Sequence, residues 1–146
     1  MISVKKLIGD KWNKTLHTLH PNNTVIEALD LMERKNIGAV LIMEGDELVG
    51  MFSERDYARK GILQGRKAKS TPLSEVMITD VHAVTPEMDI DDCMTLFTDK
   101  FVRHLPVMSD GQVHGMLSIG DIVSAIMKEQ KNHINFLEKY ITGSYR

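Results

Sequence analysis

Two short runs hold the residues best suited to grip a small molecule: Gly50-Met-Phe-Ser-Glu-Arg-Asp56 and Gly115-Met-Leu-Ser-Ile-Gly-Asp121. In each, a serine stands three residues before an aspartate. That spacing sets hydroxyl and carboxylate at the start of one helix, where they can cap it reciprocally. The acid also complements the helix dipole. The same geometry has a second use. Backbone N–H groups at a helix start draw an anion, and a carboxylate beside them can accept both hydroxyls of a ribose. A single copy points to capping. Two equivalent copies, each after a glycine-bearing apolar stretch, point to ligand binding with the capping role retained.

The two runs belong to a longer repeat. Shifted by 65 residues, Pro21 to Asp56 falls on Pro86 to Asp121 without a gap, with Pro21/Pro86, Leu31/Leu96, Lys35/Lys100, Met43/Met108 and Gly50/Gly115 identical. A doubled unit implies a pseudo-twofold body with a cleft between its halves. Each unit reads as β-α-β-β-α. Short strands open the units at Leu16 to Leu19 and Val81 to Val84. Thr24 and Glu27 have capping-box spacing, and Val25, Ala28, Leu29 and Met32 make one apolar helix face. In the second unit Asp89 takes the cap position and Ile90, Cys93, Met94 and Phe97 the stripe. Hairpins follow, turning at Gly45-Asp46 and at Asp110-Gly111, the latter a strong turn signal. Pro106 predicts a strand that is an edge or leaves its ladder at that point.

Ser53 and Ser118 then open the closing helices. The first is expected to end near Gly61 or Gly65, the second near Gln130, and a further helix is expected from Lys128. In that tail Ile134, Leu137 and Ile141 form one face, widened by Phe136 and Tyr140. Between the units, Gly65 to Thr71 is a basic, polar linker, and Thr71-Pro72 reads as an N-cap followed by proline at the first helical position. The fold class is therefore α/β of the α+β type, two tandem units in one module: residues 1–69, 70–128 and a tail at 129–146.

Composition narrows the function classes. The chain has 146 residues, 42% of them hydrophobic, which supports a real core for one compact module. A formal net charge of -2 argues against a general nucleic-acid binder or a polybasic membrane surface. The N-terminal residues lack the apolar run of a signal peptide, and no stretch reaches membrane-spanning length. One cysteine, Cys93, excludes an internal disulfide. It sits on an apolar helix face and reads as core. The six histidines are scattered, with no cysteine or carboxylate at metal-ligand spacing, so no metal is expected. No nucleophile–base set is visible. A cytoplasmic, non-enzymatic protein is the expectation.

The repeat resembles a tandem pair of cystathionine β-synthase (CBS) motifs, a Bateman module. The resemblance spans about residues 10 to 128. It is carried by the two Gly-Met-(Phe/Leu)-Ser-x-x-Asp runs and by Val102-Arg-His-Leu-Pro-Val107. It implies clefts between the motifs that bind adenine nucleotides: AMP foremost, with ADP, ATP or NAD(H) as alternatives and S-adenosylmethionine in some members. By position, Asp56 and Asp121 would hold ribose hydroxyls in separate sites, with Ser53 and Ser118 adjoining. Arg103 and His104 resemble the basic pair that meets phosphate. Since the first motif has Gly38 and Ala39 there, the site around Asp121 is expected to hold phosphate better; Arg55 could serve phosphate in the other. Thr79 to Val81, and Lys14 to Leu16, resemble the edge that meets the base, and Met51 and Met116 would line the pockets. The resemblance implies a homodimer that senses energy or redox state and acts on a partner protein. The competing reading is a ligand-independent interaction scaffold.

Overall fold

The computed structural model of the protein describes residues 2–9 and 16–142. It realises the β-α-β-β-α unit in full in the first repeat and without its opening strand in the second. A short helix, α1 (Val4–Ile8), comes first. The first unit then runs β1 (Thr18–Leu19), α2 (Val25–Lys35), β2 (Ala39–Glu44), β3 (Glu47–Ser53) and α3 (Glu54–Asp56). α3 continues through a π-helical turn at Tyr57–Gly61 and a 3-10 turn at Ile62–Gln64, and stops at Gly65 in the left-handed conformation. The second unit runs α4 (Ile90–Lys100), β4 (His104–Ser109), β5 (Gln112–Ser118) and α5 (Ile119–Thr142).

β1 pairs parallel with β2, and β2 antiparallel with β3; β4 and β5 form the matching hairpin. Both hairpins carry a register shift at the same place, Ile42/Met43 and Val107/Met108. The Asp110-Gly111 turn has φ of 54° and 75°, the two positive values a type I′ hairpin requires. The opening strand of the second unit is reduced to one bridge, Val84 to Val107. Pro106 explains this. It occupies the place of Leu41, which pairs with Thr18 in the first unit, and it has no N–H to extend the ladder. β4 is thus one strand of a two-stranded sheet, paired with β5 on one side and touched on the other by the single Val84 bridge, as Pro106 leads one to expect.

Helix starts follow local chemistry. Thr24 and Glu27 close a complete capping box. Asp89 holds the cap position of α4 but makes no side-chain cap; the Ile90 N–H donates to the Ile2 carbonyl instead. Thr71 does not cap a helix. It is buried, and Pro72 takes the cap position of a single 3-10 turn, Leu73–Glu75. The expected break near Gln130 is absent: α5 is one helix of 24 residues. No proline or glycine interrupts it after Gly120, so nothing in the backbone stops it.

The two cores interlock. Leu73 and Val76, at the start of the second unit and ahead of its repeated stretch, are buried in the core of the first with Val25, Ala28, Met32, Val40, Ile42 and Phe52. Val4 and Ile8, which precede the first unit, are buried in the core of the second with Ile90, Cys93, Phe97 and Leu105. The hydrogen bonds repeat the exchange. Leu73 N–H donates to Asn23 O and Val25 N–H to Thr71 O; Val4 N–H donates to Met88 O and Ile90 N–H to Ile2 O. Ile78 extends the first sheet, exchanging two backbone bonds with Met51 at 2.8 and 2.9 Å. The close approach explains Gly50, where a Cβ would stand 2.9 Å from the Ile78 carbonyl oxygen.

Candidate ligand clefts

Each Ser-x-x-Asp run forms the box its spacing predicts. Ser53 N–H donates to Asp56 Oδ2 at 2.9 Å, and Asp56 N–H donates to Ser53 Oγ at 3.2 Å. Ser118 and Asp121 repeat this at 2.9 and 3.1 Å. In both boxes only Oδ2 is used. Among the described residues Oδ1 of neither carboxylate accepts a bond, so each aspartate caps its helix and keeps an acceptor for a second partner. Asp56 is the more enclosed, with 8% of its surface exposed.

The structure regroups the residues that the repeat aligns. Arg103 does not line the pockets at Asp121. It lines the cleft at Asp56, about 430 Å³, together with Arg55, Arg59, Lys60 and His104. The reason is the pseudo-twofold arrangement, in which the entry to β4 faces the closing helix of the other unit. Gly38, the counterpart of Arg103, lines the pocket at Asp121 in the same manner. Arg103, expected beside Asp121, therefore lies beside Asp56. Arg55, Arg59, Lys60 and Arg103 form no ion pair among the described residues. Their counterparts at the other site are Gly120, Ser124, Ala125 and Gly38.

The Asp121 site is different in kind. Two adjoining pockets of about 400 and 330 Å³ share Ile37, Met116 and Asp121. Leu7, Ile8, Leu16, Leu41 and Leu117, with the shared Ile37 and Met116, make most of the wall of the larger. Ser118 and His104 edge the smaller. Met51 lines the Asp56 cleft, while Ala39, Thr79 and Val81 lie outside the lining of both sites. Ile78 occupies the edge expected of Thr79 to Val81. Lys14 falls outside the described residues.

His104 stands between the sites and lines both. Burial, the largest influence, pushes its imidazole below the ordinary histidine range; Asp121 and Glu54 act against this, and Arg103 with it. It is therefore a neutral hydrogen-bonding group near pH 7, and the cations of the cleft are the three arginines and the lysine. The sign for stability follows. With the folded-state pKa below the unfolded value, the unfolded chain binds more protons in between, so stability falls as pH drops through the ordinary histidine range. Denaturation midpoints measured from pH 7.5 to 5.5 should decline, and His104→Gln should flatten that decline.

Sequence reading missed Arg59, Lys60, Ile78 and Phe101. The lysine and arginine carried a usable signal: they follow Asp56 by one turn, where the other repeat has Ser124 and Ala125. Phe101 also lines the Asp56 cleft. It is 84% exposed and left-handed, with φ 54°. Its counterpart Asn36 has φ 53°, a conformation asparagine tolerates better than phenylalanine. Cys93 is buried core, its thiol pushed up to about 11 chiefly by burial.

Comparison with known proteins places this architecture. The CBS-domain family profile matches residues 13–61 and 73–128, and the chain belongs to the CBS-domain family. A mitochondrial CBS domain-containing protein of Arabidopsis thaliana, CBSX3, is 40% identical over 129 residues, covering 85% of this chain and 63% of that protein. A solved protein with CBS domains from Burkholderia ambifaria is 40% identical with a TM-score of 0.85, covering 88% of this chain and 96% of the other. The CBS domain pair of protein MJ0100 shares the fold at 24% identity and a TM-score of 0.75, over 88% of this chain and 98% of its own; it was solved with 5′-methylthioadenosine and S-adenosyl-L-methionine. No helix among the described residues is long and apolar enough to cross a membrane.

Proposed function

We propose that this chain is a non-catalytic regulatory protein that binds an adenine nucleotide in the Asp56 cleft and signals by changing shape. AMP is the leading ligand, with ADP, ATP or NAD(H) as alternatives. One observation carries the reading: a carboxylate with a spare acceptor stands beside four cations, without an ion-pair partner among the described residues, in one cleft drawn from both repeats. Asp56 and Ser53 would take the ribose. Arg103, Arg55, Arg59 and Lys60 would take phosphate, guanidinium being suited to two-pronged contact with its oxygens. Met51, Ile78 and Phe101 would meet the base. The apolar Asp121 site suits an adenosine moiety without phosphate. The adenosyl ligands of the MJ0100 pair support that chemistry.

The coupling follows from the fold. Ile78 lines the cleft, and the segment leading to it is buried in the first core. A ligand that draws Arg103 toward Asp56 thus acts on both units. We assign the protein to the cytoplasm as a homodimer acting on a protein partner. The exposed apolar face of α5 favours self-association in either functional reading.

The test is a melting-temperature titration with AMP, ADP, ATP and NADH, alongside mass spectrometry of small molecules released from the purified protein. A ligand bound only by the native state adds about 2.7 kcal/mol at a hundredfold excess over Kd, which gives a clear upward shift. No shift with any of the four, and no nucleotide released, favours the interaction scaffold instead.

Phe101 gives a separable expectation. Phe101→Asn installs the residue of the other repeat, relieving a left-handed aromatic. The fold should become slightly more stable, while AMP binding weakens by about 1–3 kcal/mol, the worth of a base stacked on an aromatic ring. Calorimetric titration and a thermal melt of the same variant check both halves.

A further inference from the structure

α5 outruns the body it closes. Ile122 is buried in the second core and Ile126 packs against it. From Met127 onward every described side chain of the helix is exposed. Along this stretch runs an apolar seam: Val123, Met127, Gln130, Ile134, Leu137 and Ile141, at steps of 4, 3, 4, 3 and 4. Those steps are the heptad alternation of a two-helix contact, and the glutamine is its one polar member. Val123, Met127, Ile134, Leu137 and Ile141 are all exposed, Ile141 at 80%. None is in either core cluster.

The charges beside the seam say what covers it. Lys131 and Glu138 stand seven residues apart on the same flank of the seam, the position that heptad nomenclature calls e. In an antiparallel pair of identical helices this flank faces itself. A two-fold axis between Ile134 and Leu137 sets Ile134 against Leu137 of the second copy, and Lys131 against its Glu138, twice over. In a parallel pair the same flank faces Ile126 and His133, and Lys131 finds no acid. We infer that α5 pairs antiparallel with α5 of a second copy of this chain, through this seam and these two reciprocal ion pairs. The overlap is the part of the helix that leaves the body, 127–142, about 24 Å long at 1.5 Å per residue. Each tip thereby reaches the point where the other helix emerges.

This deepens the homodimer reading and rests on it, so the experiment separates the two. Sedimentation equilibrium on the full chain compares wild type with Leu137→Asp, Lys131→Glu, Glu138→Lys and the double variant Lys131→Glu/Glu138→Lys. All these positions are exposed, and unchanged far-UV circular dichroism with a cooperative melt will verify folding. The expected result is a dimer for wild type and a dissociation constant raised at least about a hundredfold by Leu137→Asp. Each single charge reversal should raise it about tenfold. The double variant should return to within a few-fold of wild type, and the two single variants mixed together should also form a heterodimer. A wild-type monomer at all concentrations overturns both the homodimer and the seam. A wild-type dimer that tolerates Leu137→Asp, or whose charge reversals are not rescued by combination, overturns the seam and leaves a dimer joined elsewhere.

Discussion

Leu73→Ala should lower stability by about 2–5 kcal/mol, the range for deleting a fully buried leucine side chain. Leu73 is fully buried, yet it lies in the segment that leads into the second repeat and fills the core of the first. If the cores are interlocked in this way, neither repeat can lose its packing alone. A thermal scan of the variant should show one transition, lowered by roughly 4–20 °C for a chain of this size. Two separate transitions, or a shift no larger than that of an exposed substitution such as Lys69→Ala, would mean that the segment is an ordinary linker.

Arg103→Ala should weaken AMP by about 1.5–3 kcal/mol, roughly ten- to a hundredfold, while leaving adenosine close to wild type. Arg103 shares its cleft with Asp56 and three further cations, and none of the four has an acidic partner among the described residues. Losing one charge-assisted phosphate contact removes affinity only from ligands that carry phosphate. Stability should barely change, because Arg103 is exposed and its backbone carbonyl still accepts from Ile119. Raising the salt concentration should narrow the gap between wild type and variant. Equal losses for AMP and adenosine would show that the side chain shapes the cleft without meeting phosphate.

Much of the fold was legible because local signals agreed with one another. The gap-free alignment of Pro21–Asp56 with Pro86–Asp121 fixed two equivalent units. The Asp110-Gly111 turn, the Thr24–Glu27 box and the paired Ser-x-x-Asp boxes all follow from short-range chemistry. What was not legible was long-range. Aligning the repeats put Arg103 in register with Gly38 and so, by sequence, with Asp121. The pseudo-twofold crossing delivers it to Asp56 instead, and no single chain position reveals that crossing. The exchange of Leu73 and Val4 between cores is hidden for the same reason. Ile78 was missed because one antiparallel bridge leaves no periodic signature. The continuity of α5 was readable: after Gly120 nothing breaks the helix before Thr142, and the expected stop near Gln130 had no residue to cause it.

The central claim is that the phosphate-bearing ligand belongs to the cleft where the first Ser-x-x-Asp run meets Arg103 of the second repeat. Calorimetric titration of AMP into Asp56→Asn and Asp121→Asn, side by side with wild type, tests it most directly. Both variants keep the shape of the capping box and lose its charge, so both should be destabilised alike, by about 0.3–1 kcal/mol. The account expects Asp56→Asn to weaken AMP by about 1.5–3 kcal/mol and Asp121→Asn to leave that AMP isotherm near wild type. AMP binding abolished by Asp121→Asn, with Asp56→Asn behaving as wild type, would contradict it.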